Sequence, residues 1–171
     1  MPGGRRDDGP VRFAAEHRFR APVDAVAALL LDPDFHRTLD LPDMAVIDVV
    51  ATGADGESVL RVRYRFVGQL DPIARRLLGR RELTWAQELR LDPATGTGWL
   101  SFAADADPRR LHGAADVALE ALDGGTLRRI EGELTVAVPL LGGRAEGHIL
   151  PGLLRRLDIE AAAVEQRLGA T

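Results

Sequence analysis

The chain has 171 residues, of which 46% are hydrophobic and 28% are charged, and its formal net charge at pH 7 is -4. This composition is typical of one soluble globular domain rather than a disordered or fibrous chain, and the acidic balance disfavours a general nucleic-acid-binding function. Stable membrane insertion is not expected either, because no apolar run approaches the ~20 residues that cross a bilayer. The opening MPGGRRDDGP lacks the apolar core of a secretory signal, so we expect a cytoplasmic protein.

Several chemistries are excluded by residue types that the chain lacks. There is no cysteine, which removes disulfides, thiolate nucleophiles and cysteine metal ligands together. All 22 basic residues are arginine, so mechanisms that need a Schiff-base or P-loop lysine are also excluded. We interpret the arginine bias as the codon usage of a GC-rich genome.

The first quarter of the chain predicts a strand followed by two short helices. Residues 1–10 are rich in glycine and charge and predict a disordered tail, with a single domain over 11–171. Apolar and polar residues alternate from Val11 to Phe19, which indicates a strand. After Pro22, VDAVAALLLD predicts a helix, and a second short helix precedes Pro42.

The middle of the chain predicts an antiparallel meander. Alternating segments separated by turn residues predict strands at 44–52, 58–67, 82–91, 97–105 and 111–122. Residues 69–81 interrupt them with a predicted short helix, capped by Asp71 and ended by Gly79, that carries Ile73, Leu77 and Leu78 on one face. Its arginine pairs, at 75–76 and 80–81, are interpreted either as a solvated surface or lid, or as a contact for anionic lipid or an acidic partner.

The last third of the chain predicts a long strand and a long helix joined by a glycine corner. In the strand from Thr126, Ile130, Leu134 and Val136 alternate with charged residues. Beyond LLGGR, apolar residues recur at spacings of three and four and form one helical stripe: Leu150, Leu153, Leu154, Leu157, Ala161, Val164 and Leu168. We expect this helix to lie across a curved sheet.

This order of elements carries a resemblance to a known superfamily. HRFRAPVDAVAALLLDPDF, the turn-rich meander and VAVPLLGGRAEGHI resemble the START-like helix-grip superfamily, also called SRPBCC or Bet v 1-like, over roughly residues 11–168. The last motif and the strand of Trp85 are similar to the actinobacterial domain of unknown function 2505. The resemblance implies an α+β helix-grip fold, with about six to seven antiparallel strands wrapped around a long C-terminal helix and two short helices after the first strand.

Members of this superfamily include lipid carriers, hormone receptors and polyketide cyclases, so the fold alone does not define a function. The resemblance implies binding of a small hydrophobic ligand, lipid- or polyketide-like, between the sheet and the C-terminal helix. One alternative is a cyclase- or dehydratase-type enzyme that uses His17 or Glu146 for proton transfer. The other is a protein-interaction module whose core is filled by side chains. No prediction is made about the oligomeric state.

Motifs for catalysis, metals and cofactors are absent from the sequence. HExxH, GxSxG, Walker A and GxGxxG do not occur, and the four histidines show no paired ligand spacing. We therefore predict no metal site, no cofactor and no catalytic set, and favour a binding protein over an enzyme.

Two titratable residues are candidates for the predicted cavity. His17 falls on the apolar face of the first strand, where an imidazole can bind a ligand's polar end or transfer a proton, or be a structural histidine bonded to a neighbour. Glu146 faces the sheet if the helix has already begun there, although Pro151 makes that register uncertain. Its alternative is a first-turn glutamate stabilised by the helix N-terminus.

The remaining candidates would line the same cavity. Tyr64 and Gln87 alternate inward among apolar neighbours and would supply polar groups, as small-molecule pockets require. The predicted apolar lining is Phe66, Trp85, Leu150 and Leu154. Each of these side chains can equally be structural, because tyrosine and glutamine often bind sheet ends or water, and large apolar residues fill cores.

Overall fold

The computed structural model has an α+β architecture in which a long C-terminal helix covers one face of a curved antiparallel sheet. It describes residues 9–54, 56–69, 72, 75–76, 79–136 and 142–169. For residues 54 and 142–148 this description covers the backbone and not the side chains. This is the helix-grip architecture expected from the order of elements, and that expectation is confirmed.

Seven strands form the sheet within the described residues. They are β1 (Val11–Phe19), β2 (Met44–Ala54), β3 (Glu57–Phe66), β4 (Thr84–Leu91), β5 (Thr97–Ala104), β6 (Leu111–Leu122) and β7 (Gly125–Val136). Their spatial order is β1-β7-β6-β5-β4-β3-β2, and every neighbouring pair is antiparallel. The chain therefore builds a meander from β2 to β7, and β1 pairs with the last strand made.

Three helices whose full bounds are described complete the fold: α1 (Val23–Leu30), α2 (Pro33–Arg37) and α3 (Gly142–Leu168). The Asp32 carboxylate accepts a hydrogen bond from the Asp34 N–H at 2.9 Å, and Pro33 takes the first position of α2, where no helical donor is lost. The predicted strand limits agree closely with the structure: β6 matches residue for residue, whereas β4 begins at Thr84 rather than Glu82.

The segment between β3 and β4 is described only in part. Pro72, Arg75 and Arg76 are helical, and Gly79, with a φ of 59°, donates its N–H to the Arg75 carbonyl at 2.9 Å. This is the left-handed glycine that ends a helix, in agreement with the predicted stop. The predicted cap Asp71 and the apolar residues 73, 77 and 78 lie outside the described residues. The described arginines of both pairs are exposed.

The core lies between the concave face of the sheet and α3. Leu157, Ala161 and Val164 are buried, and the other members of the predicted stripe pack against the same core while partly buried: Leu150, Leu153, Leu154 and Leu168. A helix with one apolar stripe buries that stripe against the sheet and leaves its other faces in water. None of the described helices is long and apolar enough to span a membrane.

Candidate functional site

Three charged side chains are enclosed between the sheet and α3. Arg128 of β7, Arg156 of α3 and Glu160 of α3 are only 2%, 3% and 4% exposed. Arg128 shares the inward parity of Ile130 in β7, while Arg156 and Glu160 are four residues apart and so lie on one side of the helix. We call these three residues the buried ionic cluster.

Glu160 is the centre of the buried ionic cluster. Its Oε1 accepts a hydrogen bond from Arg128 Nη1 at 2.5 Å, and its Oε2 accepts one from Arg156 Nη1 at 3.3 Å. Arg128 Nη2 also donates to the Leu157 carbonyl at 3.2 Å. One carboxylate thus joins the sheet to the helix, with both of its oxygens engaged by guanidinium donors.

One side of the Arg156 guanidinium is hydrogen-bonded, and the other has no acceptor among the described residues. Its Nη1 donates to the Tyr64 hydroxyl at 3.1 Å as well as to Glu160, and its guanidinium carbon lies 5.5 Å from the Tyr64 ring centroid. Tyr64 is fully buried and stacks on Trp85, with centroids 5.7 Å apart. Among the residues that the structure describes, none accepts a hydrogen bond from Arg156 Nε or Nη2. These two atoms form the edge of a guanidinium that binds a carboxylate side-on.

His17 extends the cluster towards solvent. It lies directly opposite Arg128 in the β1–β7 register, and its Nδ1 is 3.1 Å from Arg128 Nη2. Because a guanidinium can only donate, Nδ1 is the acceptor, and the ring proton sits on Nε2, which donates to exposed Asp158 at 2.8 Å. Burial, and then the charge of Arg128, lower the pKa of His17, although Asp158 acts in the opposite direction. His17 is therefore neutral near pH 7.

An enclosed cavity of about 20 Å³ borders the cluster, which is room for about one water molecule. Its lining is mostly apolar with a polar minority: Leu30, His36, Gln87, Leu89, Leu91, Leu100, Val117, Arg128, Ile130, Arg156, Leu157 and Glu160. His36 Nε2 donates a hydrogen bond to the Leu30 carbonyl at 2.7 Å, while its Nδ1 has no hydrogen-bond partner in the described part of the chain. Burial lowers the pKa of His36.

The structure brings together some of the candidate residues predicted from the sequence. His17 and Tyr64 contact members of the cluster directly, and Gln87 lines the cavity. Trp85, Leu150 and Leu154 are partly buried against the core, and Phe66 is half-buried opposite Met44. The side chain of Glu146 lies outside the described residues.

Four residues at the site were not predicted from the sequence: Arg128, Arg156, Glu160 and His36. A signal existed for two of them. Arg128 has the inward parity of its strand, and Glu160 follows Leu157 by three residues and precedes Val164 by four. No group of three His, Asp or Glu side chains within the described ranges is placed to hold a metal ion.

The electrostatics of the cluster favour recognition over proton transfer. Burial alone would raise the pKa of Glu160, but the charges of Arg156 and then Arg128 outweigh it and lower the pKa from 4.5 to about 2. A carboxylate that remains ionised to such a low pH does not act as a general acid near neutrality. Glu160 therefore presents a fixed charge to the cavity rather than a group poised to exchange a proton.

The low pKa of Glu160 predicts an acid-sensitive contribution to stability. The folded-state pKa lies below the unfolded value, so the contribution is complete above about pH 4.5 and is lost as the pH falls towards about 2. We expect this carboxylate to account for a loss of about 3 kcal/mol in the free energy of unfolding over that window, measured by urea denaturation. The Glu160→Gln variant should lack this part of the acid limb, and parallel curves for the two proteins would contradict the assignment.

Comparison with known families gives one match over nearly the whole chain. A family model described as "Protein of unknown function (DUF2505)" matches residues 14–168. No curated protein matches the sequence.

Solved structures share the fold at low sequence identity. TTHA0849 from Thermus thermophilus superposes with a TM-score of 0.66 at 16% identity, over 94% of this chain and 98% of that one. The Zhui aromatase/cyclase from Streptomyces sp. R1128 superposes with a TM-score of 0.64 at 17% identity, over 94% of each chain. Ara h 8.0201 also superposes with a TM-score of 0.64, at 14% identity, over 95% of this chain and all of the other. Likeness at this level of identity establishes the fold alone.

Proposed function

Because this chain belongs to the DUF2505 family and has the SRPBCC-like fold, we propose that it binds a small, largely apolar molecule between the sheet and α3. The observation that carries the proposal is the buried ionic cluster beside an enclosed cavity. A few polar groups in a mostly apolar lining are the usual composition of a small-molecule site.

Stability alone gives little reason to keep such a cluster. Burying a guanidinium or carboxylate carries a desolvation penalty that pairing often only offsets, and apolar side chains of similar volume are frequently as stable or more so. Arg128, Arg156 and Glu160 are nevertheless set among leucine, isoleucine and valine side chains. Departures from the apolar pattern of a core are expected at functional sites.

Ligand entry requires α3 to move away from the sheet, because a cavity of about 20 Å³ is far below the ~300 Å³ of a typical ligand site. Pro151, inside α3, cannot donate to the carbonyl of Gly147, and a side chain at the next residue, Gly152, would meet open space. This weak point in the helix lies one turn before Arg156. Bending of α3 there is the proposed route by which the helix moves away from the sheet.

The proposed ligand is lipid- or polyketide-like. Support comes from the fold shared with the Zhui aromatase/cyclase and with the di-domain aromatase/cyclase BexL, which superposes with a TM-score of 0.63 at 14% identity. The proposed contacts keep the residues predicted from the sequence and add those of the cluster: His17, Tyr64, Phe66, Trp85, Gln87, Glu146, Leu150, Leu154, Arg128, Arg156 and Glu160.

Native mass spectrometry of protein purified under mild conditions tests this function. We expect a population heavier than the polypeptide by the mass of a retained small molecule, which organic extraction removes. Protein that is uniformly ligand-free, and that binds no apolar fluorescent probe, would contradict the proposal. The identity of an extracted molecule would also distinguish a lipid from a polyketide.

A protein-interaction module with a filled core is the second candidate, and the small volume of the cavity favours it. Its surface would then be functional, and Ile47 and Val50 on the edge strand β2, together with Val67, are exposed apolar residues. The cyclase-type alternative would use His17 or Glu146 for proton transfer. It has less support at His17, because both ring nitrogens of that residue are engaged.

An actinobacterial source and a cytoplasmic location belong to the same proposal. The first is supported by the use of arginine for all 22 basic residues.

A further inference from the structure

The buried ionic cluster carries an uneven charge. Two guanidinium groups, of Arg128 and Arg156, share the single carboxylate of Glu160, and each of the three side chains is almost completely buried. His36, the other titratable group lining the cavity, has a pKa lowered by burial and adds no compensating negative charge. Counted over the side chains that the structure describes, the enclosed site therefore has an excess of one positive charge, which is costly when it is unpaired away from water.

The excess charge coincides with the unpaired edge of Arg156. Arg128 is satisfied by Glu160, the Leu157 carbonyl and His17. Arg156 uses only Nη1, and its Nε and Nη2 remain without an acceptor among the described residues although the side chain lines the cavity. Buried donors of a charged group are rarely left unpaired, because each one retains its desolvation penalty.

We propose that the ligand is an amphiphile with a carboxylate group, and that Arg156 binds this carboxylate side-on through Nε and Nη2. This inference rests on the proposed function, because it specifies the chemistry of a molecule held in the same cavity. A carboxylate supplies one negative charge and two acceptor oxygens, which match the excess charge and the two free donors. The apolar body would lie against the leucine, isoleucine and valine side chains of the lining.

The neighbours of Arg156 fix the orientation of its free edge. Nη1 is held by both Glu160 and the Tyr64 hydroxyl, at 3.3 and 3.1 Å. A guanidinium that is anchored on one side loses little further conformational freedom when the other side binds. Glu160 and Tyr64 are therefore positioning residues, whereas Arg156 makes the contact with the ligand.

Binding of decanoate and of decanol tests the head group, because the two probes share an apolar chain and differ in charge. Trp85, which stacks on Tyr64 beside Arg156, provides a fluorescence signal, and calorimetry provides a second one. We expect the wild-type protein to bind decanoate about 10–100-fold more tightly than decanol, the range of a charge-assisted hydrogen-bond pair. Arg156→Met should remove this preference while retaining decanol binding.

Arg155→Met is the matched control, because Arg155 is the adjacent residue of α3 and its side chain is 61% exposed. It should retain the preference for decanoate. Arg156→Lys keeps the charge but not the fork, and should retain only part of the preference. The comparison of the two probes on the wild-type protein needs no variant, so it remains decisive if Arg156→Met does not fold.

The outcomes separate this inference from the proposed function. Equal affinities for decanoate and decanol would leave ligand binding intact and overturn the carboxylate assignment. A crystal structure of decanoate-saturated protein in which one water molecule bridges Arg156 and His36 would also overturn the carboxylate assignment. Binding of neither probe would overturn the proposed function, and the inference with it.

Discussion

Glu160→Gln is expected to lower the free energy of unfolding by about 3–5 kcal/mol at neutral pH, because it leaves two buried guanidinium groups facing a neutral amide. The substitution conserves the shape of the side chain but leaves one acceptor oxygen where Glu160 has two. The loss therefore reports the charge and one hydrogen bond rather than packing. Arg128 and Arg156 line the enclosed cavity, so they cannot regain full hydration unless α3 moves away from the sheet. Urea denaturation monitored by circular dichroism measures the effect.

An exposed glutamate provides the control for Glu160→Gln. Glu133 of β7 faces solvent and lies 3.6 Å from exposed Arg12, so Glu133→Gln should change the free energy of unfolding by no more than about 0.5 kcal/mol. The triple variant Arg128→Met, Arg156→Met, Glu160→Leu removes the charges together and should recover most of the loss. Similar small effects for Glu133 and Glu160 would mean that the cluster is hydrated in solution.

Leu157→Ala is expected to cost about 2–5 kcal/mol, as truncations of buried leucines do. Leu157 is 1% exposed at the centre of the apolar stripe of α3, and its side chain lines the cavity. The truncation would enlarge that cavity beside the buried ionic cluster, so the cost includes lost packing as well as lost burial. Thermal and urea denaturation both measure it.

Gln166→Ala serves as the comparison for this truncation, because Gln166 is exposed on the same helix. It should change stability by no more than about 0.5 kcal/mol. If Leu157→Ala produces an effect as small as that of Gln166→Ala, α3 does not pack on the sheet at this position.

Periodicity was sufficient to predict the strands and the C-terminal helix, and the resemblance to a known superfamily gave their helix-grip arrangement. Alternation predicted each strand, and the three-and-four spacing predicted α3, because burial of one face repeats every two residues in a strand and every 3.6 in a helix. The same rule places Arg128 inward, but the adjacent Arg129 on the opposite face makes the pair look like ordinary surface charge. The inward parity was present in the sequence, and the residue type obscured it.

The buried ionic cluster depends on contacts that periodicity does not encode. Arg156 and Glu160 have the spacing of a common surface ion pair on a helix. In the structure they are buried, and Glu160 bonds to Arg128 of the sheet. That juxtaposition depends on the rotation of α3 against β7. Similarly, the contact of His17 with Arg128 depends on the pairing of strands whose contacting residues are 111 positions apart in sequence. A single sequence specifies neither relation directly.

The order of the strands also has a consequence during synthesis. In the sheet, β1 is an edge strand whose neighbour is β7, and His17 is made 111 residues before Arg128. At about 5–20 residues per second, a ribosome needs on the order of ten seconds to cover that interval. During this time β1 is exposed without its partner while the meander grows, and the Glu160 carboxylate arrives later still. Of the strands, β1 is therefore the one whose partner is synthesised after the longest delay. The ion pairs of the buried ionic cluster are among the last contacts that can form.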